Sequence, residues 1–189
     1  MTQWNDTAHR IMDKAEDFIK TKGFNAFSFK NLQHEVGIKT SSVHYYFPVK
    51  TDLANAVVER FFARHKQALA FLESHKRTPT ERFNEVAKFF IMNAKKGELC
   101  LGGMLTSDLG TLDPKARDIL SEFFEHFEGW IEKQIRAGQK SGAFSQKVDP
   151  SHTAKMFVAM LEGGMLIARV KNKPDYYKKL VKQFIEHMQ

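Results

Sequence analysis

SFKNLQHEVGIKTSSVHYYFPVK, residues 28–50, reads as two short helices joined by a glycine-centred turn. Ser28 suits the N-cap of the first helix, because its hydroxyl can accept from a free backbone N–H of the opening turn. Phe29, Leu32 and Val36 fall three and four residues apart, which lines one apolar helical face. Gly37 follows directly and stops the helix, since glycine takes a positive φ without strain. Ile38 is expected to plug the corner between the helices. Lys39-Thr40-Ser41 restarts the chain, with a hydroxyl available as the next cap. Val43 and Phe47, four apart, turn back onto the first helix. That leaves Thr40, Ser41, Ser42, His44 and Tyr45 facing outward. Pro48 ends the second helix by removing a backbone donor.

Two helices arranged in this way can place the second in the major groove of duplex DNA, leading with its N-terminal residues. Thr and Ser hydroxyls exchange hydrogen bonds with base edges, and a Thr methyl can touch a thymine methyl. Tyr hydroxyls and Lys ammonium groups reach phosphate oxygens, which positions a protein without reading sequence. Lys39, Thr40, Ser41 and Ser42 are therefore expected at or near base edges. Ser28, Lys30, His44, Tyr45, Tyr46 and Lys50 are expected on phosphates. A helical hairpin whose tyrosines merely pack is the alternative that the segment alone leaves open.

The stretch from residue 8 to residue 60 resembles the DNA-binding domain of the TetR family of bacterial transcriptional repressors. The residues that carry the resemblance are Gly23-Phe24, Ser28, Leu32, Gly37-Ile38, Ser42-Val43, Tyr45-Tyr46-Phe47, Lys50 and Leu53. Gln33 and Val36 stand where the family usually has alanines, Lys39 where it has serine, and His44 where it has tyrosine; the histidine makes that contact sensitive to pH. The resemblance implies double-stranded operator DNA as a partner. It also implies a homodimer whose last two helices pair into a four-helix bundle, and a small-molecule effector that favours a form with wrongly spaced recognition helices. Such an effector shifts the equilibrium only by its differential affinity for the two forms.

Composition agrees with a packed helical protein. The chain has 189 residues, 42% of them hydrophobic, which is enough for a core in one domain or two small ones. Eleven glycines and five prolines without low complexity argue against disorder. The opening MTQWNDTAHR is polar and has no signal-peptide pattern. The most apolar stretch, FVAMLEGGMLIA at 157–168, is too short to span a membrane and contains Glu162. One cysteine cannot close an intrachain disulfide, which fits a reducing cytoplasm. The net charge of +7 favours a polyanionic partner. It is spread along the chain, however: residues 1–50 hold seven Lys/Arg against five Asp/Glu. The motif carries the DNA argument.

Helical periodicity extends through the remainder. Ala8, Ile11, Met12, Ala15, Phe18 and Ile19 make an amphipathic helix over 7–22 that Gly23 ends. Thr51 is expected to cap a long helix from Asp52 to about Ser74. Along it, Arg60, Arg64 and Lys66 form a solvated face, with phosphate contacts open to those nearest the N-terminal domain. HKRTPTER, 75–82, reads as a linker. Further helices are expected over 80–96, 103–109, 114–139, 151–171 and 175–188. Nothing reads as a strand, so the expected fold is all-α with about nine helices. Residues 1–50 would form the helix-turn-helix domain and 51–189 the regulatory and dimerisation domain.

Two tasks are read for the second domain. Ala159 with Gly163, and Gly164 with Ala168, are small residues four apart on one helix and would let a partner helix approach closely. A small apolar or aromatic effector would lie among Phe89, Phe90, Met92, Cys100, Met104, Phe123, Phe127, Trp130, Phe157 and Met160, since pockets are lined mainly by such side chains; Leu99 and Leu105 add to the apolar bulk there. Cys100, beside a glycine-rich bend, admits a second reading as a redox or electrophile sensor, if nearby cations activate it. The histidines are scattered, and neither His-Glu-x-x-His nor Cys-x-x-Cys occurs, so no metal or other cofactor is expected. Glu122, Glu125, His126 and Glu128 share a helix and read as solvated charge. No nucleotide-binding loop or catalytic motif is present. A cytoplasmic, non-enzymatic regulator, of repressor type by the resemblance, is the expectation. Its rival is a helical small-molecule binder or enzyme without DNA binding.

Overall fold

The computed structural model describes residues 4–75 and 78–189 and contains nine α-helices among them: α1 (Asp6–Lys22), α2 (Phe29–Val36), α3 (Thr40–Tyr46), α4 (Lys50–Ser74), α5 (Pro79–Lys95), α6 (Leu101–Ser107), α7 (Pro114–Lys140), α8 (Pro150–Val170) and α9 (Tyr176–Met188). The described residues contain no strand. Single 3₁₀ turns at Phe24–Ala26 and Leu109–Thr111 were not anticipated from periodicity, being too short to show any.

Side-chain caps set most helix starts. Asn5 accepts from Ala8 N–H at α1, and Ser28 forms a reciprocal capping box with Asn31 at α2. Thr78 does the same with Glu81 at α5, and Asp149 accepts from His152 N–H at α8. Two expected caps differ. Thr40 lies inside α3, whose N-cap is Lys39 without a side-chain bond. The Thr40 hydroxyl donates to Gln33 Oε1 instead. Helix α4 begins at Lys50 rather than after Thr51, and Asp52 takes the Val49 N–H at 3.3 Å. Of the expected linker, Thr78 and Pro79 open α5, whereas Lys76 and Arg77 lie outside the described residues.

The chain divides into two compact units. The first holds the residues up to Arg64 together with Leu101–Ser121; the second holds His65–Cys100 and Glu122–Gln189. The division falls inside α4 and α7, so the unit that contains the helix-turn-helix extends well past residue 50. Its core is Ala8, Ile11, Met12, Ala15 and Ile19 of α1, packed with Leu32, Val36, Val43, Phe47, Leu53 and Val57. Within it, Glu16 is buried and meets Lys20, Arg60 and Arg64. Burial alone would raise its carboxyl, but Lys20 and Arg64 outweigh that and hold it below the usual range. Arg60, also paired with Asp13 at 2.8 Å, and Arg64 are thus engaged rather than forming a free solvated row. The second unit has its own core, in which α5, α8 and α9 pack around Phe83, Phe90, Phe157, Leu161 and Tyr177.

Candidate DNA-binding interface and regulatory core

The helix-turn-helix is built as its sequence dictates. Gly37 takes a left-handed conformation (φ 73°, ψ 39°) and its N–H closes onto Gln33 O. Arg10 of α1 donates to Val36 O at 2.6 Å, securing the same corner from the other side. Val43 and Phe47 are buried, and Trp4 packs on Phe47 at 5.2 Å between ring centroids. The opposite face of α3 is open. Tyr45 is 79% exposed, and Lys39, Ser41 and His44 are exposed. Ser42 is half-buried. Lys30 and Ser28 are exposed at the start of α2, with the Ser28 hydroxyl shared with the Asn31 cap. The His44 ring stands edge-on to Phe29 at 4.9 Å, and its Nδ1 lies 3.2 Å from Pro48 O.

Three expected contact residues are placed otherwise. Lys50 turns inward: its ammonium donates to Phe24 O and Phe27 O and sits 4.4 and 4.2 Å from the centroids of their rings. Burial lowers its pKa, and the Asp108 carboxylate opposes that. Asp108 in turn accepts from Phe24 N–H at 2.8 Å and Asn25 Nδ2 at 2.9 Å. A lysine at the head of α4 is therefore a strut of the fold. Thr40 is half-buried and held by Gln33. The Tyr46 hydroxyl accepts from Asn5 Nδ2 at 2.6 Å, which ties α3 to the cap of α1. Neither Arg10 nor Asn5 was foreseen, because both act over sequence separations that periodicity does not report.

The ten residues expected around an effector are scattered. Phe89 and Met92 are 51% and 59% exposed, on the outer side of α5. Met104 belongs to the first unit, with its Cε 3.5 Å from where a Cβ on Gly23 would lie. Met160 is half-buried. Phe90, Phe123, Phe127, Trp130, Phe157 and Cys100 are buried in the second unit. Phe90 stacks with Phe127 at 6.3 Å and lies 6.2 Å from Tyr177. His65, unnoticed in the sequence, stands between Phe123 and Phe127 at 4.9 Å from each. Burial pushes its imidazole down to about 4, with His126 adding to the effect, so it is neutral near pH 7. Glu162 receives a hydrogen bond from the Cys100 thiol. An open groove of about 750 Å³ runs between α5 and α9, floored by Ala87, Ile91, Val181 and Ile185; none of the ten lines it.

The small residues of α8 split between two faces. Gly164 faces inward, where a Cβ would stand 3.3 Å from the Tyr177 ring, and Ala168 is buried. The close approach at Gly164 serves α9 of the same chain, where the sequence reading has it meet a partner. Gly163 has open space about it and Ala159 is exposed. They lie in a stripe with Met156, Leu166, Ile167 and Val170, all exposed, Val170 at 88%. Among the described residues no cluster of His, Cys, Asp or Glu could hold a metal ion, and no helix is long and apolar enough to cross a membrane.

An outward recognition helix on an all-α, two-unit chain defines a helix-turn-helix regulator, and the comparisons name the family. Residues 11–57 match the family model described as "Bacterial regulatory proteins, tetR family". Residues 80–184 match "Tetracyclin repressor-like, C-terminal domain". The chain belongs to the TetR family and is a DNA-binding transcriptional regulator. It is 24% identical over 190 residues to transcriptional regulator AcuR of Cereibacter sphaeroides, covering 95% of this chain and 84% of the relative. It is 19% identical over 165 residues to the HTH-type transcriptional repressor DhaR of Mycobacterium sp. (strain GP1), covering 87% and 83%. Its fold matches the crystal structure of a TetR-family regulator from Agrobacterium tumefaciens, with a TM-score of 0.91 at 22% identity over 97% of each chain.

Proposed function

We propose that this chain is a cytoplasmic, non-enzymatic repressor that binds operator DNA as a homodimer and is released by a small-molecule effector bound in its second unit. The observation that carries the reading is the two-sided α3: Val43 and Phe47 buried on one face, Lys39, Ser41, His44 and Tyr45 open on the other. Ser41 and Lys39 lead into the major groove, with Ser42 beside them. Tyr45, Lys30 and Ser28 take phosphates. Lys50, Thr40 and Tyr46 hold the module's shape.

A dimer supplies the second half-site that one short helix cannot read. The uncovered stripe on α8, from Met156 through Ala159 and Gly163 to Val170, supports that assembly, because contiguous exposed apolar surface is costly in water. Cys100 is buried, and the reading as a redox sensor has no observation in its favour beyond the thiol itself.

Electrophoretic retardation of the chain's own promoter DNA across a salt series tests the reading. Affinity should fall steeply as salt rises. Lys39→Ala should weaken binding and flatten the log–log slope by about one. Tyr45→Phe should weaken it without changing the slope. Lys50→Ala should lower the melting temperature and leave the slope of the folded protein as it was. Salt-independent binding, or no retardation at all, would sink the proposal.

A further inference from the structure

Glu162 is the one acid within the apolar run 157–168 of α8. Its Oε1 is buried and has no hydrogen-bond partner, and the contact its carboxyl makes is to the Cys100 thiol. No lysine, arginine or histidine forms an ion pair with it among the described residues. Tyr177 of α9 closes over this part of α8. Its hydroxyl donates to Leu161 O, its ring lies against Gly164, and its phenol feels the Glu162 charge. From Tyr177 the rings continue to Phe90 at 6.2 Å and on to Phe127 at 6.3 Å. A carboxyl with one open oxygen thus ends a row of aromatic rings inside the second unit.

A carboxylate taken out of water needs a counter-charge or a proton. Burial pushes the Glu162 carboxyl up to about 7, and the Cys100 thiol offsets only part of that. The described residues provide no cation here, so the counter-charge for an ionised Glu162 is one that arrives from outside. Aromatic faces favour the same guest, because their negative quadrupole attracts an organic cation. A neutral hydroxyl would satisfy the open oxygen but leave the charge unmatched.

We propose that Glu162 anchors the effector of this regulator, and that the effector is an organic ammonium ion whose N–H donates to Glu162 Oε1 while its carbon body lies against Tyr177 and Phe90. This rests on the reading of the second unit as the effector-binding part. Binding exchanges the carboxyl proton for the ligand's charge. The groups facing Glu162 from α9 and from the segment before α6 are Tyr177 and Cys100; burial pushes the Tyr177 phenol up, so it keeps its proton in the exchange.

Calorimetry on the full chain tests this with 2-phenylethylammonium and its neutral isostere 2-phenylethanol. The ammonium should bind wild type in preference to the alcohol. It should tighten between about pH 6 and about pH 8 and release protons to the buffer. Glu162→Gln should lose about 10- to 100-fold for the ammonium, shed the proton release and leave the alcohol unaffected. Glu162→Asp, which keeps the charge, should retain the preference for the ammonium. Equal binding of both probes to wild type, unchanged ammonium binding in Glu162→Gln, or no saturable ammonium binding would each overturn the anchor. Operator retardation on the same samples separates the two readings. Ammonium bound at Glu162 without release from DNA keeps the anchor and removes effector release. Release by the alcohol alone does the reverse.

Discussion

Lys50 and Glu162 show how far a side chain's role departs from its type. A lysine beside a DNA-binding helix reads as a phosphate contact, yet Lys50 spends its ammonium on two backbone carbonyls and two rings. A glutamate in a helix reads as a solvated charge, yet Glu162 has a buried, unpartnered oxygen. The second case has a measurable consequence for stability. Burial raises the Glu162 carboxyl from 4.5 to about 7, so between those pH values the folded chain keeps a proton that the unfolded chain has lost. Stability contributed at this site is therefore greatest below about pH 4.5, falls as pH rises through that window and levels off above it. Glu162→Gln should be more stable than wild type at pH 8 by roughly 1–3 kcal/mol, unfolding at a higher temperature, and match it at pH 4. Thermal melts at the two pH values decide this; a variant no more stable at pH 8 would mean that the carboxyl is solvated.

Helices here are specified by caps and stops, and packed by small residues at close crossings. Gly37 is needed for its backbone, since its left-handed φ lets α3 start one turn after α2 ends. Gly138 is needed for its missing side chain: a Cβ there would overlap the Phe144 ring. Phe144 is buried and edge-on to Phe83 at 5.8 Å, so it has little room to retreat. Gly138→Ala should cost about 1–3 kcal/mol through overpacking, despite the higher helix propensity of alanine. Gly129→Ala on the same helix, with open space about it, should be neutral or slightly stabilising. Chemical denaturation of the two variants measures both; similar effects would mean that Phe144 moves aside freely. Periodicity located α7 over 114–139 but could not tell these two glycines apart, because only the neighbouring chain distinguishes them.

At the scale of the whole molecule, α8 carries an apolar stripe that its own chain leaves uncovered among the described residues. Met156, Leu166, Ile167 and Val170 are exposed around Ala159 and Gly163, whereas Gly164 lies against the Tyr177 ring and Ala168 is buried. Leu166→Glu should give a monomer by light scattering and weaken operator binding more than tenfold, because each subunit then binds one half-site alone. Gly164→Ala should instead lower stability without changing the oligomeric state. A Leu166→Glu chain that stays dimeric would move the interface off this stripe.

The sequence alone determined the fold class, the position of the helix-turn-helix and the buried face of α3 at Val43 and Phe47. Those follow from local physics: caps, a left-handed glycine and a 3.6-residue period repeat within a few residues of chain. The tertiary structure decided which polar groups are spent internally. Lys50 lies 26 and 23 residues beyond the carbonyls it binds, Tyr46 41 beyond Asn5, and Asp108 84 beyond Phe24. It also decided that Phe89 and Met92 face outward while Phe90 faces in, and that Gly164 serves α9. Contacts between residues far apart in the chain depend on how helices cross, and a crossing leaves no period in the sequence.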